Sequence, residues 1–370
     1  MALSLYRKYR PLTFSDLLGQ EIVVRVLKNA SRQNKFSHAY LFAGPRGTGK
    51  TTAARLIAKV ANCQKRQTDP EFTKKGEPCN ECQSCLSIDQ GRNLDLIEID
   101  AASNRGIDEI RNLKESVRVT PASYKYKVFI IDEAHMLTKE AFNALLKTLE
   151  EPPAHVIIIL ATTEFEKIPA TISSRTQEFF FKKAYLHQIL GKIKLIAEKE
   201  NIKISNEALE LIAASAEGSF RDAESLLDQL ATMTNDAIEL QDVEMVLGKV
   251  GFKKISKIAE LLLKKDLPNV LEEIKIIEDS GQNLAQLTKD LIHYLRRVAV
   301  LKFNPQMTKI FEKDFLPDHL KTMEVHSKIF TEHHLNLLKS LISAYSQMRY
   351  SQFPIIPLEV AIIEQLKTKD

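Results

Sequence analysis

The segment that most limits what this chain can fold into is Gly44-Pro-Arg-Gly-Thr-Gly-Lys-Thr51. It lies between an apolar run, Ala39–Ala43 (AYLFA), and a helical pattern, Thr51–Ala61 (TTAARLIAKVA). A G-x-x-x-x-G-K-[ST] stretch that leaves a strand and opens a helix is a phosphate cradle. Its glycines let successive backbone N–H groups point inward, and the helix N-terminus adds partial positive charge there. Gly44, Pro45, Arg46, Gly47, Thr48, Gly49, Lys50 and Thr51 are therefore candidate nucleotide-binding residues. Lys50 would reach the β- and γ-phosphates of ATP, and the Thr51 hydroxyl would ligate Mg2+.

Such a loop needs a parallel sheet behind it. Four further apolar runs fit strands covered on both faces: Leu94–Ile99, Val128–Ile131, Val156–Leu160 and Gln177–Phe181. Alternation of these runs with helical patterns such as Glu140–Leu149 marks an α/β fold. Beyond about residue 184 only helical periodicity remains, and Ser219 with Asp222 reads as a capping box. The expected organisation is α/β then all-α. An α/β domain covers 1–184 with a cysteine insert at about 63–85, a small helical domain covers 185–249, and a helical C-terminal domain covers 250–370.

Val128-Phe-Ile-Ile-Asp-Glu-Ala-His135 places two carboxylates at the end of a buried strand. Asp132 would hold Mg2+ and Glu133 would polarise an attacking water. A carboxylate pair in that position otherwise serves as a helix cap or a solvated turn. All four cysteines of the chain, Cys63, Cys79, Cys82 and Cys85, fall in one short segment. Four thiolates in a reducing compartment select Zn2+ and close a structural site. Disulfides are the alternative that compartment disfavours, and iron–sulfur ligation uses the same donors. The insert between them has few apolar residues. Metal removal is expected to unfold it and to spare nucleotide binding.

A net charge of +4 over 370 residues is too mild to argue for nucleic acid. No apolar run reaches the roughly 18 residues of a membrane span. The opening MALSLYRKYRPLTF lacks the apolar segment of a secretory signal. These points place the chain in the cytoplasm, away from membranes.

IDEAHMLTKEAFNALLKTLEEPP, LATTEFEKIPATISSR, GPRGTGKT and the opening YRKYRPLTFSDLLGQE together resemble the AAA+ ATPases of sliding-clamp loaders. The cysteine insert narrows the resemblance to the bacterial DNA polymerase III gamma/tau type, over essentially residues 1–250. The resemblance implies an AAA+ parallel-sheet domain with a zinc insert, a helical lid and a C-terminal collar, the last assigned by position only. It also implies an ATP-hydrolysing motor that loads the sliding clamp onto primer–template DNA during replication. Arg175 occupies the place of an arginine finger that acts in trans, although Thr176 follows it where the family has cysteine. A surface arginine paired with a local acid such as Glu178 is the alternative. Thr163 resembles sensor 1, against a strand-end hydroxyl satisfying backbone. Arg221 resembles sensor 2, against a solvated first-turn residue. Arg10 and Pro11 would border the adenine.

Implied partners are the delta and delta-prime subunits, further gamma/tau copies, the beta clamp and primer–template DNA. Tail contacts to polymerase and helicase are expected to be absent from a chain ending at Asp370. A non-hydrolysing scaffold subunit of the same assembly is a second possibility, but intact Lys50, Thr51, Asp132 and Glu133 weigh against it. Another AAA+ motor acting on DNA, such as a branch-migration helicase or a eukaryotic-type small loader subunit, is a third; neither is expected to carry the cysteines. No second paired-carboxylate centre for nucleotidyl transfer is seen, so no polymerase active site is expected here.

Overall fold

The computed structural model describes residues 3–104, 107–233, 236–312 and 314–367, without the side chains of 107–112. Five strands form one sheet: β1 (Ala39–Ala43), β2 (Leu96–Asp100), β3 (Lys127–Asp132), β4 (Val156–Thr162) and β5 (Gln177–Phe180). Their order is β2-β3-β4-β1-β5 and every pairing is parallel. All residues of β1 and β4 are buried, whereas the edge strands β2 and β5 are mostly not. Helices on both faces explain the unbroken apolar runs at the centre.

The helices before the sheet ends are α1 (Leu5–Lys8), α2 (Glu21–Arg32), α3 (Lys50–Asn62), α4 (Gln64–Thr68), α5 (Pro70–Thr73), α6 (Gln83–Asp89), α7 (Ile107–Arg118), α8 (Lys139–Glu150) and α9 (Ala170–Ser173). One apolar layer joins α3 residues such as Ala53, Ala54 and Ile57 to Phe42, Phe179 and Phe14. The opposite layer packs Phe142, Leu145 and Leu149 of α8 against Leu41, Phe129 and Ile158. The expected strand at Leu94–Ile99 begins two residues late. Leu94 is exposed, and the buried Asp95 carboxylate accepts from the backbone N–H groups of Ala122, Ser123 and Tyr124 at 2.6, 2.9 and 3.0 Å. The Asp95 carbonyl still accepts from Val128 N of β3 (2.8 Å), so Asp95 joins the sheet edge while its side chain holds the neighbouring loop.

By packing, the chain divides into two compact units. One comprises Met1–Ala184 with Gly218–Asp222; the other comprises Tyr185–Glu217 with Ala223–Asp370. The second is helical, as the sequence implies, apart from one isolated parallel bridge between Ile204 and Ile238. Its helices are α10 (Leu186–Lys199), α11 (Asn206–Ser215), α12 (Phe220–Met233, which begins in the first unit), α13 (Leu240–Leu247), α14 (Phe252–Leu263), α15 (Leu267–Asp279), α16 (Leu284–Phe303), α17 (Thr308–Phe311), α18 (Pro317–Ile329), α19 (His333–Met348) and α20 (Ile355–Leu366). The 20-residue α16 is the axis of this unit, packed by α14, α18 and α19. Among the described residues no helix is long and apolar enough to cross a membrane.

Candidate phosphate site and cysteine cluster

In this strand order the C-terminal ends of β3, β4 and β1 lie side by side, which is where open α/β sheets gather ligand-binding loops. The chain leaves β1 pinned on both sides. Phe181 N donates to Ala43 O (2.7 Å), and Gly44 N donates to Thr162 O (3.1 Å). Gly44 and Gly47 have φ of +147° and +72°. A Cβ at the first would collide with the Phe181 carbonyl, and at the second with the Ser219 hydroxyl. Gly49, at φ +98°, is the left-handed N-cap of α3. The N–H groups of that first turn lack intrahelical acceptors, so the loop presents donors to an anion.

The Lys50 ammonium is folded onto its own loop, donating to Gly44 O (2.8 Å) and Pro45 O (2.9 Å). Burial lowers its pKa from the usual lysine value, while Glu133 and Asp132 pull it back up. The Thr51 hydroxyl donates to Asp132 Oδ2 at 2.7 Å, so two hard oxygen donors converge as a Mg2+ site requires.

Glu133 sits in the left-handed region (φ 49°, ψ 44°), where a non-glycine residue carries backbone strain. Its N–H donates to Asp132 Oδ1 (3.0 Å), and its Oε2 accepts from the Thr163 hydroxyl (3.1 Å). Thr163 thus bonds a carboxylate and not the backbone. Nearby, His135 Nε2 lies 3.2 Å from Glu164 Oε1, and its Nδ1 lies 3.0 Å from Thr162 Oγ1. Nδ1 also lies 3.6 Å from Glu133 Oε2, so a carboxylate stands on each side of the ring. Neither His135 nor Thr162 was singled out from sequence, though His135 closes the Asp-Glu-Ala-His run.

Arg175 follows α9. Its Nε donates to Glu150 Oε1 (3.1 Å), with Nη2 paired to the same oxygen at 2.8 Å, and Nη1 donates to Thr171 O (2.8 Å) and Ser174 Oγ (3.2 Å). The acid is therefore Glu150, at the end of α8, and not Glu178. The guanidinium borders an open hollow of about 480 Å³ lined also by His38, Leu149, Glu150 and Ser174.

Arg221 lies with its guanidinium carbon 4.9 Å from the Tyr6 ring centroid, a cation–π contact. The residue of that turn brought to the loop is Ser219, against Gly47; its Oγ also accepts from Asp222 N (3.2 Å). Arg10 and Pro11 are half-buried after α1. It is Leu17, further on, whose Cδ2 lies 3.2 Å from where a Cβ on Gly49 would be.

The four cysteine sulfurs all lie within 4.8 Å of one another, and no disulfide joins them. Tetrahedral zinc with bonds of about 2.3 Å needs sulfurs roughly 3.8 Å apart, and Cys79 and Cys85 stand at 3.9 Å. Cys79 Sγ accepts from the N–H groups of Glu81 (3.4 Å) and Cys82 (3.3 Å), bonds that favour a thiolate, while burial outweighs them and raises the thiol's pKa in the absence of metal. The Cys63 thiol is drawn down to about 5 by its hydrogen bond with Cys85, whose own pKa that bond pushes up. These donors fit Zn2+.

A parallel sheet with this strand order, a glycine loop after β1 and a carboxylate pair after β3 define an AAA+ P-loop module. Three family models match in tandem: "DNA polymerase III, delta subunit" over 19–185, "DNA polymerase III clamp loader subunit, ATPase lid domain" over 188–236, and "DNA polymerase III subunits gamma and tau domain III" over 238–370. The chain is 42% identical over 365 residues to the DNA polymerase III subunit tau of Bacillus subtilis, covering 99% of this chain and 63% of that protein. It is 39% identical to the DNA polymerase III subunit gamma of Buchnera aphidicola (Baizongia pistaciae), covering 82% of this chain and 80% of that one. The chain belongs to the family of bacterial DNA polymerase III gamma and tau subunits. It spans 63% and 45% of the lengths of the Bacillus subtilis and Mycoplasma pneumoniae relatives. Among solved structures, a Bacillus subtilis DNA clamp loader delta protein is similar at 14% identity and a TM-score of 0.41, over 93% of this chain and 99% of that one. That likeness adds nothing to the sequence matches.

Proposed function

We propose that this chain is an ATP-hydrolysing motor subunit of the bacterial clamp loader, within the DNA polymerase III holoenzyme. It would act in the cytoplasm, with delta-type subunits and further copies of itself, to open the sliding clamp and place it on primer–template DNA. The carrying observation is the convergence of the Gly44–Thr51 loop with Asp132, Glu133 and Thr163 at adjacent strand ends. In this proposal the loop amides and Lys50 hold the phosphates. Glu133 positions the attacking water while Thr163 fixes its carboxylate. Arg175 completes a neighbour's site, and Arg221 moves from Tyr6 toward the γ-phosphate. Thr51 and Asp132 would hold Mg2+, which supplies charge neutralisation on the phosphates when bound. The four cysteines would hold Zn2+ structurally.

Glu133→Gln tests the assignment of the base. The amide keeps an acceptor for Thr163 but cannot take the proton of water. Turnover in the assembled loader should fall at least about 100-fold, the low end for a positioned base, with nucleotide affinity within about threefold. A normal rate would show that another group does this work.

The region 185–249 would be the lid and 250–370 the collar that joins subunits. Phe353, Ile356, Val360 and Ile363 leave an exposed apolar stripe at helical spacing on and before α20. Val360→Asp should abolish co-elution with partner subunits at micromolar concentration and leave ATP binding intact. Normal assembly of that variant would remove the stripe from the collar interface.

A further inference from the structure

The cysteine insert is tied to the body by more than its sulfurs. Arg66 is buried and donates to Ser31 O (2.6 Å) and Asn34 Oδ1 (3.0 Å) at the end of α2 and to Thr73 O (3.4 Å) within the insert. Gly76, at φ +72°, lets the chain pass close over the Lys28 carbonyl of the same helix. Next in line is Glu77, two residues before Cys79, with its side chain only 14% exposed.

Its carboxylate is filled by groups from the N-terminal segment and α2. Oε2 accepts from Phe14 N (2.7 Å). Oε1 accepts from Ser15 N (3.1 Å) and the Ser15 hydroxyl (2.9 Å), and pairs with Lys28 Nζ at 2.8 Å. Lys28 also donates to the same Ser15 hydroxyl (2.9 Å). Phe14 and Ser15 open a single 3₁₀ turn, so their N–H groups have no partner inside it. A carboxylate accepting two such amides beside an ammonium is a strong, specific clamp.

What it clamps leads to the phosphate loop. Phe14 and Leu17 are buried in the core layer shared with α3, and Leu17 Cδ2 fills the space beside Gly49, the N-cap of α3, 3.2 Å from where a Cβ there would stand. Past them, Gln20 grips Lys182 beyond β5, donating to its O (2.8 Å) and accepting from its N (3.1 Å). The segment 13–20 is therefore a strap beside Gly49, fixed at one end to the chain just beyond β5 and at the other by the insert.

We propose that Glu77 is a positioning residue for the nucleotide site, through which the cysteine insert holds the Phe14–Leu17 strap against Gly49. This rests on the assignment of the 44–51 loop as the nucleotide cradle. It reverses the expectation from sequence that the insert can unfold without effect on nucleotide binding. Metal at the cysteines fixes the insert, the insert carries Glu77, and Glu77 fixes the strap.

The test uses the full chain, comparing wild type, Glu77→Gln, Glu77→Ala and Lys50→Ala for ATP affinity, bound zinc and amide exchange. Glu77→Gln turns an acceptor into a donor facing Lys28 and two amides. It should weaken ATP binding about tenfold and speed exchange at Phe14 and Ser15, with zinc content unchanged. Glu77→Ala should do the same; if it fails to fold, Lys28→Met loosens the clamp from the other side and should give a smaller loss of the same sign. Chelated wild-type protein should show both effects. Wild-type affinity in Glu77→Gln despite exposed Phe14 and Ser15 amides, or unchanged exchange there, overturns the proposal. Should Lys50→Ala bind ATP normally, the cradle assignment falls instead, and the exchange at Phe14, Ser15 and Gly49 alone decides whether Glu77 holds the strap.

Discussion

Lys50→Ala and Lys50→Met are expected to lose ATP binding by about 30-fold to several thousand-fold. That range follows from the roughly 2–5 kcal/mol lost when one member of a buried, hydrogen-bonded charge pair is removed. The ammonium already sits at the loop, bonded to Gly44 O and Pro45 O, and burial has lowered its pKa. A triphosphate arriving there supplies the counter-charge that the two carbonyls supply only in part. In the free protein the same residue is a cost. A lysine whose folded pKa lies below its unfolded one is penalised while charged, and the penalty is relieved as pH rises through the folded value toward 10.5. Removing it should therefore not lower stability without nucleotide, particularly in Lys50→Met, which keeps the apolar stem. Thermal unfolding checks both halves: an unchanged or higher midpoint without ATP, and no ATP-induced rise. A variant that still gains a wild-type increment with ATP would refute the role.

The parts of this architecture that were legible in the sequence are those set by local pattern. β1 and β4 read as continuous apolar runs because both faces of each are covered, and the loop between β1 and α3 announces itself through Gly44 and Gly49, both at positive φ, where a side chain is strained. What was not legible is pairing across distance. Glu178 was the nearer acid to Arg175 along the chain, yet α8 delivers Glu150 to it. The insert reads as too polar to hold itself without metal, and the sequence does not show that some of its polar residues bond the body, Arg66 on α2 and Glu77 on Phe14 and Ser15 some sixty residues earlier. Leu94 reads as a strand residue but is exposed ahead of β2, and its neighbour Asp95 spends its carboxylate on three amides near residue 123, which no local pattern encodes. Thr163 was named for its position at the end of β4, but its bond to Glu133 depends on β3 and β4 being neighbours.

Arg175→Ala should lower ATP turnover in the assembled loader by about 10³-fold or more, the lower range for an arginine that neutralises charge in phosphoryl transfer. The free chain should show no such loss, because the site that Arg175 completes in this proposal lies on a neighbouring subunit. Stability offers little reason for the arginine. The Arg175–Glu150 pair is 36% and 49% exposed, and such surface pairs are worth about 0–1 kcal/mol. The variant should thus fold, assemble and bind ATP normally, so that the loss falls on kcat. Arg175→Lys should not restore the rate, since an ammonium lacks the planar fork that Glu150, Thr171 and Ser174 hold in place. The local bonds also explain how a long side chain could act across an interface. Nη1 donates to Thr171 and Ser174 and Nε donates to Glu150, with Nη2 in ion-pair range of the same oxygen, so the guanidinium is oriented before a neighbour arrives and Nη2 is the nitrogen left to reach it. Pre-orientation of this kind spares rotamer entropy at the moment of contact. Single-turnover hydrolysis in loaders reconstituted with wild-type or Arg175→Ala subunits decides the matter, and equal rates would leave Arg175 a surface residue with no part in the chemistry.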